Sequence, residues 1–318
     1  MLKRLGVGLP SSRLFFALCL GLSLHKAAAQ QAISSIEQSR LFQQTPAPTS
    51  TNVTADGMAL PASGSTSDDD SFGDQVILKS QPRLPTFVVS GDASFFYTDN
   101  VALTGNDRRD DTFLVGRVAA AWMPRIAPSL EAQVSASAST FRYNNTSELD
   151  FTNLSLGAGL SWTPQNLRGV ALFARYDFIE LLNRHSDEIL QDHEFTVGAQ
   201  KVFALGRSHA ISVGAFAMVG FANPDEAQRD QVGVFAGYRL MLTRAFEADV
   251  QYRLAGQFYN DAERNDLNQV LSLNLRYRIT PWAEANASFS FGNNRSDHSV
   301  FDYNVVNTGA GVGLSVRF

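Results

Sequence analysis

The stretch that decides the fold is Val305-Val306-Asn307-Thr308-Gly309-Ala310-Gly311-Val312-Gly313-Leu314-Ser315-Val316-Arg317-Phe318. Every second residue, counted back from Phe318, is Val316, Leu314, Val312, Ala310, Thr308 and Val306. Between them lie Arg317, Ser315, Gly313, Gly311, Gly309 and Asn307. A period of two puts successive side chains on opposite faces of a pleated strand. One face is therefore apolar, the other small and polar. The pattern recurs in nearly every segment from residue 86 onward, and little of the chain is left to cover so many apolar faces.

Twelve strands are predicted, at 86–99, 112–123, 130–143, 151–163, 170–182, 194–204, 210–222, 231–242, 245–259, 267–279, 283–293 and 305–318. Most reach the roughly 9–11 residues that cross a bilayer at a tilt. Their connections alternate. Odd strands lead into long polar loops at 100–111, 144–150, 183–193, 223–230, 260–266 and 294–304. Even strands lead into tight turns such as Pro124-Arg125-Ile126-Ala127-Pro128, Thr163-Pro164-Gln165-Asn166, Leu205-Gly206-Arg207, Thr243-Arg244 and Thr280-Pro281. An even strand number with short turns at one end and long loops at the other predicts an all-β fold, a closed antiparallel transmembrane barrel over 86–318. Trp122, Trp162 and Trp282 all fall beside short turns, as interface anchors do. Phe95, Tyr97, Phe141, Tyr143, Phe178, Phe195, Phe221 and Phe258 lie toward the long-loop end. That end is rich in acids, whereas the short turns carry Arg125, Arg168, Arg207 and Arg244.

If apolar positions face lipid, alternate positions face a lumen. Arg117, Arg175, Arg239, Arg253, Arg276, Arg278 and Arg317 then point inward, with Asp92, Glu131, Asp177, Glu247, Asp249 and Glu284. A lipid-facing arginine at mid-bilayer costs roughly 2–4 kcal/mol, which is the reason for the sorting. Signs alternate from strand to strand, so the expectation is a salt-bridged belt that stiffens the lumen, with a solute-selecting constriction as the alternative. Lys201 is the exception, on the outer face beside Phe203.

Before the barrel come two other materials. Lys3, Arg4 and Arg13 flank the apolar run Leu14 to Leu22, and Ala27-Ala28-Ala29 offers a cleavage site, so 1–29 is read as a secretory signal peptide. Residues 30–85 include Thr45 to Thr51 and Asp68-Asp69-Asp70, are poor in aromatics, and are expected to form a disordered periplasmic tail. A short helix can form near Ile33 to Phe42, and a plug inside the barrel is the sharper alternative.

Composition narrows the function. Mean hydropathy is −0.10 and hydrophobic content 44%, against a helical membrane protein but not against a barrel. A net charge of −5 argues against nucleic-acid binding, and the only cysteine, Cys19, lies in the leader. His185, His193, His209 and His298 are expected on loops or strand ends, with no histidine on the wall. A barrel phospholipase would need serine and histidine together on that wall, so no enzyme, catalytic residue, metal site or cofactor is expected. Loop acids such as Asp107, Asp110, Asp225 and Glu226 match no calcium-loop spacing.

An apolar-outward last strand ending on an aromatic resembles the C-terminal signal of bacterial outer-membrane barrels. Carried by Val312, Leu314, Val316 and Phe318, it implies recognition by the barrel assembly machinery. Phe95-Phe96-Tyr97-Thr98-Asp99-Asn100-Val101, followed by Asp110-Asp111-Thr112, is similar to the first hairpin of a porin-like group. The barrel thus resembles the porin and outer-membrane β-barrel families of Gram-negative bacteria. The resemblance implies an outer-membrane location, with membrane lipid and lipopolysaccharide as neighbours. The expected function is a narrow channel for small hydrophilic solutes or ions, the solute itself being unspecified. The alternative is a non-conducting envelope barrel that binds partners through its outer loops or assists polymer export. An autotransporter is disfavoured because 30–85 is too short for a passenger.

Overall fold

The computed structural model describes residues 34–39, 41, 86–206, 208–259 and 263–318. The expected signal peptide, Arg207 and most of the expected tail lie outside them. The strands follow in chain order as β1 (Phe87–Thr98), β2 (Asp111–Trp122), the three-residue β3 (Arg125–Ala127), β4 (Leu130–Tyr143) and β5 (Phe151–Trp162). They continue as β6 (Val170–Asn183), β7 (Glu188–Ala204), β8 (His209–Asn223), β9 (Asp230–Met241) and β10 (Phe246–Tyr259). The last are β11 (Arg264–Arg278), β12 (Ala283–Ser296) and β13 (Tyr303–Arg317). Apart from β3, which folds back on the start of β4, each strand pairs antiparallel with its neighbour in sequence.

The cylinder closes where β1 meets β13, from Val88↔Arg317 to Thr98↔Asn307. Closure pairs every strand on both sides, as a bilayer requires of backbone polar groups. The chain is a closed antiparallel barrel with twelve wall strands.

Directly opposed residues of an antiparallel pair share a face. The registers Asp92↔Arg117, Arg117↔Ser139, Ser139↔Asn153, Asn153↔Leu181 and Leu181↔Leu190 therefore trace one inner set across half the wall. On the other face, Val118, Leu156 and Val232 are 62%, 55% and 60% exposed. Apolar exposure on this scale around a whole cylinder is a surface for lipid, not water. Trp122, Trp162 and Trp282 are exposed at the short-turn end. Lys201 is outward, with its ammonium 5.0 Å from the Phe203 ring centroid.

Strands outrun the expectation at the loop end. β7 begins at Glu188 rather than 194, β11 at Arg264 rather than 267, and β12 reaches Ser296 rather than 293. Alternation against lipid stops at the interface, but the backbone ladder continues above it, so polar segments were expected as loops. The turn at 124–128 also holds β3, which pairs Arg125 with Glu131.

Candidate functional site in the barrel lumen

All thirteen charges expected inside occupy inner-face positions by register. Toward the short turns they pair across strands. Arg239 lies 3.4 Å from Glu247 and 3.9 Å from Asp249, and Arg276 lies 3.6 Å from Glu247 and 3.4 Å from Glu284. Arg278 stands opposite Glu284, and Asp92 opposite Arg117. Glu131 meets Arg125 at 3.7 Å.

The expected strand-by-strand alternation breaks at β13, where Glu284 and Asp92 both face Gly313 and Arg317 faces Val88. Strand stagger in a tilted barrel shifts Arg317 below the belt. Arg175 makes its own pair on β6, with Nε donating to Asp177 at 2.6 and 2.8 Å. Gly157 leaves room for it, since a Cβ there would lie 2.8 Å from Asp177 Oδ1. Val312, Leu314 and Val316 on the outward face of β13, and Phe318 just after it, are all exposed.

The loop-proximal half is filled differently. Residues 34–39 and 41 are helical, as read near Ile33 to Phe42, and are buried there as in the plug alternative, where a periplasmic tail was the first expectation. The segment is amphipathic. Ile36 packs into a cluster with Phe96, Phe113, Phe141 and Phe151, whose rings stack in series from the inner faces of β1, β2, β4 and β5. Phe141 and Tyr143, expected toward the long-loop end, lie there on the inner face and belong to this core. Leu41 packs with Leu103, Tyr303 and Val305.

Glu37 points the other way. It is ion-paired and hydrogen-bonded to Arg229, and Tyr303 Oη donates to its Oε2 at 3.4 Å. Arg229 also donates to Tyr259 Oη at 3.2 Å. Gln38 Nε2 donates to the carbonyls of Asn100 and Val101, at 3.4 and 3.2 Å, and Asn153 Nδ2 donates to Ser39 Oγ at 2.6 Å. Arg264 is sandwiched between the rings of Tyr259 and Phe301, 3.6 and 3.8 Å from their centroids, and its Nε lies 3.2 Å from Asp266. Burial alone would push the Glu37 carboxyl up. The Arg229 guanidinium, by charge and hydrogen bond, with Arg253 and Arg264 behind it, outweighs this and holds the carboxyl below its ordinary value.

The Asp-Asn motif after β1 turns out to shape this site. Asp99 Oδ1 accepts from Val306 N at 2.7 Å, and Asn100 Nδ2 donates to Thr104 O at 2.7 Å and to Asn304 O at 2.9 Å. These bonds fold the first long loop inward, burying Val101 and Leu103. Leu103 takes a left-handed φ of 52°, a conformation a branched residue adopts only when its surroundings impose it. Asp111 ties the second side of that loop to the next, accepting from Thr146 N at 2.9 Å and Thr146 Oγ1 at 2.6 Å.

One histidine lies where none was expected. His193 is within β7, on the outer wall, because that strand starts earlier than its alternation indicated. Its Nδ1 is 2.8 Å from Tyr176 Oη, and its cross-strand neighbours are Phe178 and Phe221. The ring is set among aromatics at the level of the membrane edge, and none of these neighbours is a serine.

No known family profile matches the chain, and no curated protein matches it. Solved structures do. An outer-membrane channel from Pseudomonas putida F1 aligns at a TM-score of 0.52 and 12% identity, over 77% of this chain and 99% of that one. An anion-selective porin from Comamonas acidovorans aligns at 0.41 and 8%, over 73% and 99%. The KdgM porin in complex with disordered oligogalacturonate aligns at 0.41 and 7%, over 71% and 99%. At such identities the likeness is one of fold: the chain shares with the Pseudomonas putida outer-membrane channel a closed antiparallel β-barrel.

Proposed function

We propose that the protein is a porin-like channel of the Gram-negative outer membrane, passing small hydrophilic solutes or ions through a lumen narrowed by the charge belt and the internal helix. The single observation that carries this is the charged inner face toward the short turns of a closed cylinder, where Arg239, Glu247, Arg276 and Glu284 remain partly exposed. In this reading 1–29 is a cleaved export signal, the outward β13 face is read by the assembly machinery, lipopolysaccharide contacts the acidic loop rim, and no reaction is catalysed. Purified protein in a planar bilayer should show discrete conductance steps that change with Glu247→Gln or Arg276→Gln. A silent barrel overturns the channel. The acidic rim favours cations at rest; a reversal potential of anionic sign in a salt gradient overturns that part alone.

A further inference from the structure

Glu37 occupies a place built for a carboxylate. Arg229, Arg253 and Arg264 all act on it electrostatically, and Tyr259 and Tyr303 complete its surroundings; Asp266 and Glu194 face the same pocket. Arg229 is 2% exposed, and Glu37 is its one anionic partner among the described residues. If Glu37 withdrew, a buried guanidinium would be left without a counter-charge, a strongly unfavourable state that another anion would relieve.

The pocket is also not filled by Glu37. A cavity of about 20 Å³, room for one water, remains beside it between Tyr259, Arg264, Asp266, Phe301 and Tyr303. Three buried donors on its wall, Arg264 Nε, Arg264 Nη1 and Gln257 Nε2, have no hydrogen-bond acceptor among the described residues, Arg264 Nε having only the ion-pair contact with Asp266. Such donors are costly to leave unmade. They call for ligand oxygens beyond the two that Glu37 brings.

We propose that this pocket is a binding site for a small hydroxylated carboxylate, and that Glu37 is its built-in stand-in. The guanidinium of Arg229 takes the carboxylate, while Arg264 Nη1 and Gln257 Nε2 donate to hydroxyls. The flanking rings of Tyr259, Phe301 and Tyr303 pack against the ligand's C–H faces. An arriving ligand displaces the helix from this pocket. The site deepens the channel reading and rests on it for its purpose, but its occupancy can be measured without conduction.

Full-length protein in detergent micelles is titrated calorimetrically with glucuronate, with glucose as the uncharged control. Glu37→Gln keeps the side-chain shape and removes the competing charge, so glucuronate should bind at least about tenfold more tightly than to the unsubstituted protein, because the competent state is more populated. Glucose should not respond, and Arg229→Gln added to Glu37→Gln should abolish the gain. Equal glucuronate affinity with and without Glu37→Gln, or a gain matched by glucose, overturns the proposal. Should Glu37→Gln fail to assemble, saturating glucuronate on the unsubstituted protein must speed amide exchange across 34–39; unchanged protection overturns it. A barrel silent in bilayers whose Glu37→Gln variant gains glucuronate binding loses the channel and keeps the site. A conducting barrel indifferent to glucuronate does the reverse.

Discussion

The two halves of the lumen use the same inward positions for opposite ends. Toward the short turns, Arg239, Glu247, Arg276 and Glu284 pair at 3.4–3.6 Å with side chains that remain 22–47% exposed. Toward the long loops, Phe113, Phe151, Leu181 and Val305 are at most 1% exposed, and the ion pairs there, Arg229 with Glu37 and Arg264 with Asp266, are nearly as deeply buried. The first half is a wetted lining and the second a dry core with an inserted helix. Barrel closure alone does not make an open passage; what stands inside decides.

The largest effect expected from this contrast is on packing. Phe141→Ala removes a ring that is 2% exposed and stacked 4.3 Å from Phe151. It should cost about 3–5 kcal/mol in chemical unfolding, the range for a core aromatic. The same experiment with Ser135→Ala, on the inner face nearer the short turns, should change stability by under about 0.5 kcal/mol. Comparable losses would erase the distinction between the halves.

Arg229→Leu should come next. It strands the buried Glu37, at about 3 kcal/mol or more, and the cost falls on helix docking, not on the wall. Amide exchange should accelerate across 34–39 and stay unchanged in β10 and β11. Uniform acceleration would mean that the helix is integral to the barrel.

Acid should produce a smaller and graded release. Glu37 has a docked pKa below its free value, so its contribution is fully present above the free carboxylate value. It is lost as pH falls through the docked value. The Glu37 part of exchange at 34–39 should therefore rise only below the ordinary carboxylate range. Glu37→Gln should remove that rise, and a transition that survives the substitution assigns it to another group.

The smallest effect belongs to the belt. Glu247→Gln breaks contacts with Arg239 and Arg276, but those side chains are solvated, and exposed pairs contribute under about 1 kcal/mol. Unfolding should barely move while the reversal potential shifts toward anions.

Strand count, closure and the inner placement of charges were legible because lipid enforces a single rule along each strand, as Leu271, Leu273 and Leu275 facing out beside Ser272, Asn274 and Arg276 show. The rule is silent where lipid is absent. Above the interface both faces can be polar, so the early start of β7, and with it the wall position of His193, did not stand out. Inside the loop-proximal half, Phe96, Phe113 and Phe141 break the polar-inward pattern because they meet a helix and not water. That helix was read near Ile33 to Phe42, but it is short and set in a polar stretch that favoured a tail over a plug. Glu37 carries no local mark of its partner 192 positions away, and Arg229 and Arg264 read as ordinary loop charges. A second signal was available beside the helix: adjacent aromatics such as Phe95-Phe96-Tyr97 put a ring on both faces, which a water-filled tube has no use for.

The pairing of β1 with β13 has a topological consequence. Thr86 N and Phe87 N both donate to Phe318 O, at 2.8 and 3.2 Å, so the barrel's first and last residues touch at the short-turn rim. The covalent gap there is spanned by hydrogen bonds like those of any other hairpin on that rim. A rearranged gene that joins Phe318 to Thr86 through a brief linker, and opens instead within 184–187, would encode the same cylinder with its seam moved halfway round.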